Sequence, residues 1–261
     1  MYNSIHVATV NRTKPLTEIT QPHYKLDKTT KLKVFLNILT LPFINIFTHK
    51  NKDFMNSYYK NQAKHYDAYR YEMLHGKLPL MTSIPFQKNM NILILAGGTG
   101  ELLDYMKNII PSMNKIVVSD ISTTMIEYAN LRVKNNDWTN IICRCEDATT
   151  INTDEKFDLV IISYSLSMIP PWKKIIDKAI ECLTPNGHLA VCDFTSTDKQ
   201  FNILKYMWKS IFYMNHINLH NEYIPYLKSK LNTVFLRCDN GGFPFIPYLT
   251  LPYYYGLFKK L

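Results

Sequence analysis

Three glycines and one acid have the types and spacing to bind a nucleotide. Gly97, Gly98 and Gly100 lie in A-G-G-T-G, directly after an apolar run, and Asp120 ends a second apolar run. Such glycines let the backbone approach a ligand, and free N–H groups at the start of a following helix favour negative groups. An acid at the end of the second strand can accept hydrogen bonds from a ribose diol. The stretch predicts a nucleotide-binding βαβ unit, and for the glycines alone a tight turn without a ligand is the alternative.

The spacing favours one cofactor over others. A-G-G-T-G lacks the later glycine of the dinucleotide pattern G-x-G-x-x-G. S-adenosylmethionine has no pyrophosphate, so it fits this turn better than NAD or FAD, and we predict a methyltransferase. After the third strand, a carboxylate can meet the adenine amine, although an acid that caps a turn is the alternative there. The predicted cofactor-binding residues are Ala96, Gly97, Gly98, Thr99, Gly100, Asp120, Ile121, Asp147, Ala148 and Ser163.

Alternating apolar and helical segments must position these residues. Strands are predicted at Asn91–Leu95, Lys115–Ser119, Ile141–Cys145, Phe157–Ser163, Gly187–Phe194, Thr233–Asp239 and Tyr253–Phe258. Helices are predicted near Gly100–Ile110, Thr123–Asn135, Trp172–Leu183 and Phe201–Tyr213. This order predicts an α/β fold with a doubly wound, mostly parallel seven-stranded sheet and an N-terminal helical extension. Right-handed crossovers then bring the carboxyl ends of the parallel strands, and the residues that follow them, to one edge.

The chain divides into three predicted regions. Residues 1–30 show no periodicity and are expected to form a loose leader, and 89–261 form the cofactor-binding domain. Between them, 31–88 are expected to be a helical N-terminal segment that could act as a lid. Its stretch Lys31–Phe47 is apolar but interrupted, whereas a bilayer span needs about 20 apolar residues. This stretch either lies in a membrane interface, with neighbouring lysines at the headgroups, or packs on the core.

The composition limits which kinds of binding partner and which compartment are expected. The chain of 261 residues is 46% hydrophobic and 13% aromatic, enough for a full core. A net charge of +9 attracts phosphates of nucleic acid or of an anionic membrane, unless it only reflects a lysine-rich background. The five cysteines lack metal-ligand spacing, so we predict no metal and a reducing compartment. The first 32 residues are polar and broken by prolines, so an intracellular protein is expected. No N-P-P-Y-type tetrapeptide follows the fourth strand, so a nucleic-acid substrate is not expected.

Several segments resemble the methyltransferase half of betaine lipid synthases, which make diacylglyceryl-N,N,N-trimethylhomoserine. S-Y-S-L-S-M-I-P in Phe157–Trp172 resembles the family's S-Y-S-L-[ST]-M-I-P. Tyr58–Gly76 resembles its opening F-Y-x-x-Q-A-x-x-Y-D-x-x-R-x-x-L-L-x-G, and Asp137–Ala148 its G-W-x-N-V-x-x-x-C-Q-D-A. Two C-terminal segments, Pro225–Val234 and Pro247–Tyr255, are also similar to family motifs. The resemblance runs from about Phe54 to the C-terminus. It departs at Ile94, where the family usually has an acid, and at Ala96, where it usually has a glycine.

The resemblance implies three successive N-methylations of a homoserine-ether lipid. The substrate would then be a lipid headgroup, reached by a peripheral protein at the cytoplasmic face of a membrane. A separate aminocarboxypropyl transferase is an expected partner, because this chain has no room for that activity. Tyrosine hydroxyls and ring faces suit a growing ammonium, and an arginine suits the substrate carboxylate. The candidates for substrate binding are Tyr66, Tyr69, Arg70 and Tyr164.

Tyr164 is also the candidate for positioning the acceptor during catalysis. No residue is assigned as the general base. Two alternatives stay open. One is methylation of another small or lipidic amine, such as phosphatidylethanolamine. The other, motivated by Ile94 and Ala96, is a weakened methyltransferase-like binding subunit.

Overall fold

The structure is a computed structural model that describes residues 19–22, 29, 67, 70–71, 73–152, 154–195, 217–242 and 250–261. Its helices of four residues or more within these ranges are α1 Lys77–Ser83, α2 Leu102–Tyr105, α3 Thr123–Asn135, α4 Trp172–Glu181 and α5 Tyr223–Lys230. Its strands are β1 Asn91–Leu95, β2 Lys115–Asp120, β3 Ile141–Cys145, β4 Phe157–Ser163, β5 Leu183–Phe194, β6 Asn232–Gly242 and β7 Thr250–Lys259. The predicted segments Lys31–Phe47 and Phe201–Tyr213 lie outside these ranges. Across the described residues, no helix is long and apolar enough to cross a membrane.

The seven strands form one sheet in the order β3-β2-β1-β4-β5-β7-β6. The first five are parallel, and β7 inserts antiparallel between β5 and β6. Helical segments cover both faces of the parallel part, which explains why its central strands read as continuous apolar runs. The predicted fold, a doubly wound and mostly parallel seven-stranded sheet, is confirmed.

Alternation along β1 divides the core into two layers. Ile92 and Ile94 point to the face covered by α1 and α2, and Leu93 and Leu95 point to the face covered by α4. All four side chains are buried. With both faces filled by packing, the chemistry must lie at the ends of the strands.

The predicted helix Gly100–Ile110 was wrong in length. Only α2 is helical, and a 3-10 turn follows at Ile110–Ser112. In a continuing helix the Tyr105 carbonyl would accept from Ile109, but it accepts from the Thr20 N–H at 3.0 Å. Pro111 has no N–H and disfavours the helical conformation before it. Because α2 has four residues, its dipole contributes little to ligand binding, and the amides of the turn itself become more important.

The start of β5 also differs from the prediction. The strand begins at Leu183 rather than Gly187, and α4 ends at Glu181 rather than Leu183. The sequence T-P-N-G, which is typical of a turn, lies inside the strand as an irregularity, because the pairing steps from Leu183 to His188. Asn186 takes the left-handed conformation there, with φ +67°. A turn signal inside a strand therefore marks a bulge here rather than the strand's start.

Candidate cofactor and acceptor site

One side of the glycine turn after β1 packs tightly against side chains of β1 and β2. A Cβ added at Gly97 would lie 2.9 Å from Ile94 Cγ2 and 2.9 Å from Val118 Cγ1. The Gly97 N–H donates to the Ser119 carbonyl at 2.8 Å, which ties the turn to β2. Glycine at this position therefore serves the packing of the turn on the sheet.

The opposite side of the same turn is open. Gly98 has φ +57°, and a Cβ added there would meet no heavy atom of the described residues within 4 Å. Ala96 also takes the left-handed conformation, with φ +52°. The turn thus presents a bare stretch of backbone to a space at the strand ends. Such a cradle fits a nucleoside cofactor that must approach the backbone closely.

Asp120 braces this turn from the end of β2. Its Oδ2 accepts from the Gly98 N–H at 2.9 Å, and its Oδ1 accepts from the Ser122 N–H at 2.9 Å. Burial raises the pKa of Asp120, and the backbone hydrogen bonds from Ser122, Gly98 and Ile121 oppose that rise. Each carboxylate oxygen can accept more than one hydrogen bond, so ribose hydroxyls can still be bound. The sequence predicted the ribose role and missed the bracing role.

The loop after β3 holds the predicted adenine residues. Asp147 Oδ1 accepts from the Thr149 N–H at 2.8 Å, which closes a local turn. Ala148 is buried, and the carbonyl of the half-buried Ile121 accepts from Cys145 Sγ at 3.4 Å. The alternative stated for Asp147, an acid that caps a turn, is therefore present. Its contact with adenine stays a prediction.

A charged network fastens the N-terminal segment to the turn. Thr99 Oγ1 donates to Asp67 Oδ1 at 2.6 Å, and Arg132 Nε donates to the Thr99 carbonyl at 3.1 Å. The Arg132 guanidinium also forms ion pairs with Asp67 and Asp104. One arginine on α3 thus joins α2, the turn and the N-terminal segment. The sequence contained one signal for this contact, since Asp67 is the acid of the Y-D-x-x-R pattern in the resemblance.

Tyr164 lies directly after β4 with φ +51° and is buried. Its hydroxyl oxygen accepts from the Gly76 N–H at 2.9 Å, and its ring packs edge-on against Phe194 at 4.8 Å. Burial raises the pKa of Tyr164 well above its usual value. The hydroxyl therefore stays protonated, which suits a positioning group and excludes this tyrosine as the base.

Asp193 holds the loop that follows Tyr164. Its side chain is fully buried and accepts from the Ser167 hydroxyl at 2.6 Å and the Ser167 N–H at 3.0 Å. It also accepts from the Phe194 N–H at 2.7 Å. Burial raises the pKa of Asp193 to about 6, against these hydrogen bonds. Asp193 thus fixes the loop after β4 to the end of β5, a contact that the sequence pattern did not predict.

The strand order brings most predicted site residues to one edge. Asp120 and Ser163 are the last residues of β2 and β4, and Asp147 and the glycine turn follow β3 and β1. These four strands are neighbours in the sheet. Ser163 is half-buried, and its Oγ accepts from Cys192 Sγ at 3.4 Å. Arg70 is buried in the N-terminal segment, and Tyr66 and Tyr69 lie outside the described residues.

Solved structures of known methyltransferases share this fold. An N-methyltransferase from Bradyrhizobium japonicum, NodS, was solved with S-adenosyl-L-homocysteine. It matches with a TM-score of 0.54 at 18% identity, over 71% of this chain and 85% of NodS. A SAM-dependent methyltransferase from Aquifex aeolicus matches with a TM-score of 0.55 at 16% identity, over 76% of this chain and 97% of that one. At these identities the likeness concerns the fold, which is that of class I SAM-dependent methyltransferases.

The family follows from the sequence. Residues 86–235 match the profile of a methyltransferase domain, and this range covers more than half of the chain, so the chain belongs to that methyltransferase family. A ubiquinone/menaquinone biosynthesis C-methyltransferase, UbiE, of Francisella tularensis subsp. novicida is 30% identical over 111 residues. That alignment covers 42% of this chain and 44% of UbiE. A malonyl-[acyl-carrier protein] O-methyltransferase of Priestia megaterium is 28% identical over 147 residues, 55% of this chain and 52% of the relative.

The chain thus spans about half the length of the curated relatives it matches. The predicted enzyme class, a SAM-dependent methyltransferase with S-adenosylmethionine as cofactor, is confirmed at the level of family and fold. By their names, these proteins methylate carbon, oxygen or nitrogen. The names of these relatives therefore do not define the acceptor atom for this chain.

Proposed function

We propose that this protein is a SAM-dependent N-methyltransferase that acts on the amino headgroup of a membrane lipid. The proposed reaction converts diacylglyceryl-homoserine into its trimethylated betaine lipid. One observation carries the proposal: three segments that resemble betaine lipid synthases meet at Gly76. The Gly76 N–H donates to Tyr164 Oη at 2.9 Å, and a Cβ added at Gly76 would lie 3.0 Å from Tyr253 Cδ2. These residues belong to Tyr58–Gly76, Phe157–Trp172 and Pro247–Tyr255, so the resemblance concerns one locus at the strand ends.

The residues of the edge have distinct tasks in this proposal. When bound, S-adenosylmethionine supplies a methyl group on a positively charged sulfur. The open face at Gly98 and the Asp120 carboxylate would hold its nucleoside, and Asp147 and Ala148 would meet its adenine. Ser163, at the end of β4, would lie beneath the donor end.

The acceptor nitrogen must be neutral to react, and each transfer moves one positive charge from sulfur to nitrogen. The first two products must then lose a proton to solvent before they can react again, and the third is a quaternary ammonium. Tyr164 has a neutral hydroxyl at this point and is proposed to position the acceptor. A tyrosine hydroxyl or ring attracts an ammonium more weakly than a carboxylate would, so the product can leave. Tyr66 and Tyr69 are proposed to extend this surface, and Arg70 to bind the homoserine carboxylate. Alignment of the two reactants and exclusion of water can supply much of the rate, so no strong acid or base is required.

The proposal includes a location and a partner. The lipid headgroup lies at a bilayer surface, so we propose a peripheral protein at the cytoplasmic face of a membrane. Net positive charge favours anionic lipid surfaces, and Lys31–Phe47 is the segment proposed to lie in the interface. Transfer of the aminocarboxypropyl group would belong to a separate enzyme.

The test is a methyl-transfer assay with the full chain. Vesicles carry either diacylglyceryl-homoserine or phosphatidylethanolamine, and products are identified by mass spectrometry after addition of S-adenosylmethionine. We expect mono-, di- and trimethylated homoserine lipid, and little product from phosphatidylethanolamine. Methylation of phosphatidylethanolamine alone would refute the proposed substrate. Binding of S-adenosylhomocysteine without turnover on either lipid would instead favour a binding subunit.

A second candidate is favoured by the 30% identity to the ubiquinone/menaquinone biosynthesis C-methyltransferase. In that case the acceptor would be a carbon atom of a quinone precursor rather than an amine. The same vesicles with such a precursor provide the comparison. A C-methylated product, together with unchanged homoserine lipid, would replace the proposal.

A further inference from the structure

A buried ion pair joins the cofactor turn to the N-terminal segment. Lys77 Nζ pairs with Glu101 Oε2, and the two side chains are 8% and 6% exposed. Glu101 directly follows Gly100 of the turn, and Lys77 directly follows Gly76, which packs on Tyr164. The pair therefore lies between the glycine turn and the residues that follow β4.

The charges of Lys77 and Glu101 both affect the pKa of a residue near the end of β5, which agrees with the position of the pair between the turn and the neighbouring strands. Burial raises the pKa of the Cys192 thiol, near the end of β5, to about 12; among the smaller effects, Lys77 lowers this pKa and Glu101 raises it. Both charges thus act on the end of β5 as well as on the turn. Burial also raises the pKa of Glu101, with Lys77 as the main opposing charge.

Half of the Glu101 carboxylate lacks a partner. Its Oε1 is buried and accepts no hydrogen bond in the part of the chain that the structure describes. Both oxygens of Asp120 and both oxygens of Asp193, by contrast, accept hydrogen bonds. A buried acceptor without a donor carries a desolvation cost, so it calls for an explanation such as an absent ligand.

The order of the strands indicates which ligand group would reach this pair. A nucleoside with adenine near Asp147 and ribose at Asp120 spans β3 and β2, so its tail extends over β1 towards β4. In S-adenosylmethionine that tail is an α-amino acid, with one ammonium and one carboxylate. Ile94 in β1 is apolar and buried, so it provides no charge for either group.

We propose that the Lys77–Glu101 pair opens when the cofactor binds, and that its two charges bind the amino-acid end of the cofactor. Glu101 accepts from the α-ammonium, and Lys77 pairs with the α-carboxylate. One internal ion pair is exchanged for two intermolecular ones, so the buried site keeps its charge balance and Oε1 gains a donor. Without ligand, each charge neutralises the other, which avoids an unpaired charge in a buried site. This inference rests on the proposed function only in taking S-adenosylmethionine as the cofactor.

The test combines protein variants with ligand analogues in calorimetric titrations of the full chain. The ligands are S-adenosylhomocysteine, its analogue without the amino group, and 5′-methylthioadenosine, which lacks the whole amino-acid end. Loss of the amino group should weaken binding to the unmodified protein by about tenfold or more, as expected for a hydrogen-bonded charge. In Glu101→Gln the same loss should cost less than about threefold, because the ammonium has lost its carboxylate. The affinity of Glu101→Gln for 5′-methylthioadenosine should differ by less than about threefold from that of the unmodified protein.

Two further proteins complete the design. Glu181→Gln removes a carboxylate from an exposed pair with Lys178 and should change none of these affinities. The double variant Lys77→Met/Glu101→Gln removes both charges of the buried pair, so no unpaired charge remains. It replaces Glu101→Gln in the titrations if that single variant does not fold. It should bind S-adenosylhomocysteine about tenfold more weakly and 5′-methylthioadenosine normally.

The outcomes separate this inference from the proposed function. Equal penalties for the missing amino group in the unmodified protein and in Glu101→Gln would overturn it. Parallel loss of 5′-methylthioadenosine affinity would show that the pair only supports the turn, and would also overturn it. If the unmodified protein binds none of the three ligands, the proposed function itself fails.

Discussion

Substitution of Gly98 by alanine should separate stability from cofactor binding. The new Cβ would meet no atom within 4 Å in the part of the chain that the structure describes, so it introduces no clash there. The remaining cost is conformational, because Gly98 has φ +57°. A non-glycine residue in the left-handed region costs about 1–2 kcal/mol, and Ala96 in the same turn already sustains that conformation at φ +52°. We expect the free energy of unfolding to fall by about 1–2 kcal/mol.

The effect on binding should be larger, because the added methyl group would project into the open face of the turn. Extra volume in a well-packed contact costs about 1–3 kcal/mol, which corresponds to about a 5- to 150-fold loss of affinity for S-adenosylhomocysteine. The Gly98 N–H bond to Asp120 is retained by alanine, so this loss would not come from a broken brace.

Gly97→Ala is the matched control, because its Cβ would point into the sheet. At 2.9 Å from Ile94 Cγ2 and Val118 Cγ1, it forces a shift of the turn or of these side chains. Overpacking of this kind costs about 1–3 kcal/mol of stability. Thermal unfolding and calorimetric titration of both variants provide the comparison. Unchanged affinity in Gly98→Ala would refute the assignment of the open face to the cofactor, and so would a larger affinity loss in Gly97→Ala.

Three further predictions address the residues that support the site. The pKa of Asp193 is raised from 3.8 to about 6, so this group contributes stability at low pH that is lost as pH rises through that window, by about 3 kcal/mol in all. Denaturant unfolding from pH 3 to pH 7 should show this decline in the unmodified protein relative to Asp193→Asn, and parallel curves would contradict the burial argument. Arg132→Met should lower the free energy of unfolding by about 3 kcal/mol or more, because it breaks a half-buried charge network; a change under about 1 kcal/mol in denaturant unfolding would refute this. Gly241→Ala would overlap the His75 ring and break its 2.9 Å bond to the Gly242 carbonyl, whereas Gly242→Ala meets none of the described residues within 4 Å. Hydrogen exchange near residue 75 should therefore rise only in Gly241→Ala, and equal exchange in both variants would show that this contact does not hold the segment.

The parts of the fold that follow local rules could be predicted from the sequence. The bounds of β1, β3, β4 and α3 agree with the predictions. The helix α3 starts after Ser122, whose side chain accepts from the Met125 N–H at 3.3 Å as an N-cap. Apolar runs and capping residues act over a few positions, so a single sequence is sufficient to detect them.

The parts that depend on distant partners could not be predicted. The helix after the turn ends early because Thr20 takes the Tyr105 carbonyl, a contact across 85 positions of the chain. The contacts of Arg132 with Asp67 and of Asp193 with Ser167 likewise join residues 65 and 26 positions apart. Periodicity reports which face is buried and carries no information about such pairs. Asp67 belongs to the Y-D-x-x-R pattern of the resemblance, but it was not among the predicted site residues.

The same contacts link the cofactor turn to the N-terminal segment. Asp67 bonds to Thr99 of the turn, and Lys77 pairs with Glu101 at its end. A ligand that shifts the turn must therefore change the energy of the docked segment, and by thermodynamic linkage anything that fixes this segment must change ligand affinity equally. In the proposed function the segment also contacts the lipid substrate. Cofactor and lipid would then change each other's affinity through these bonds.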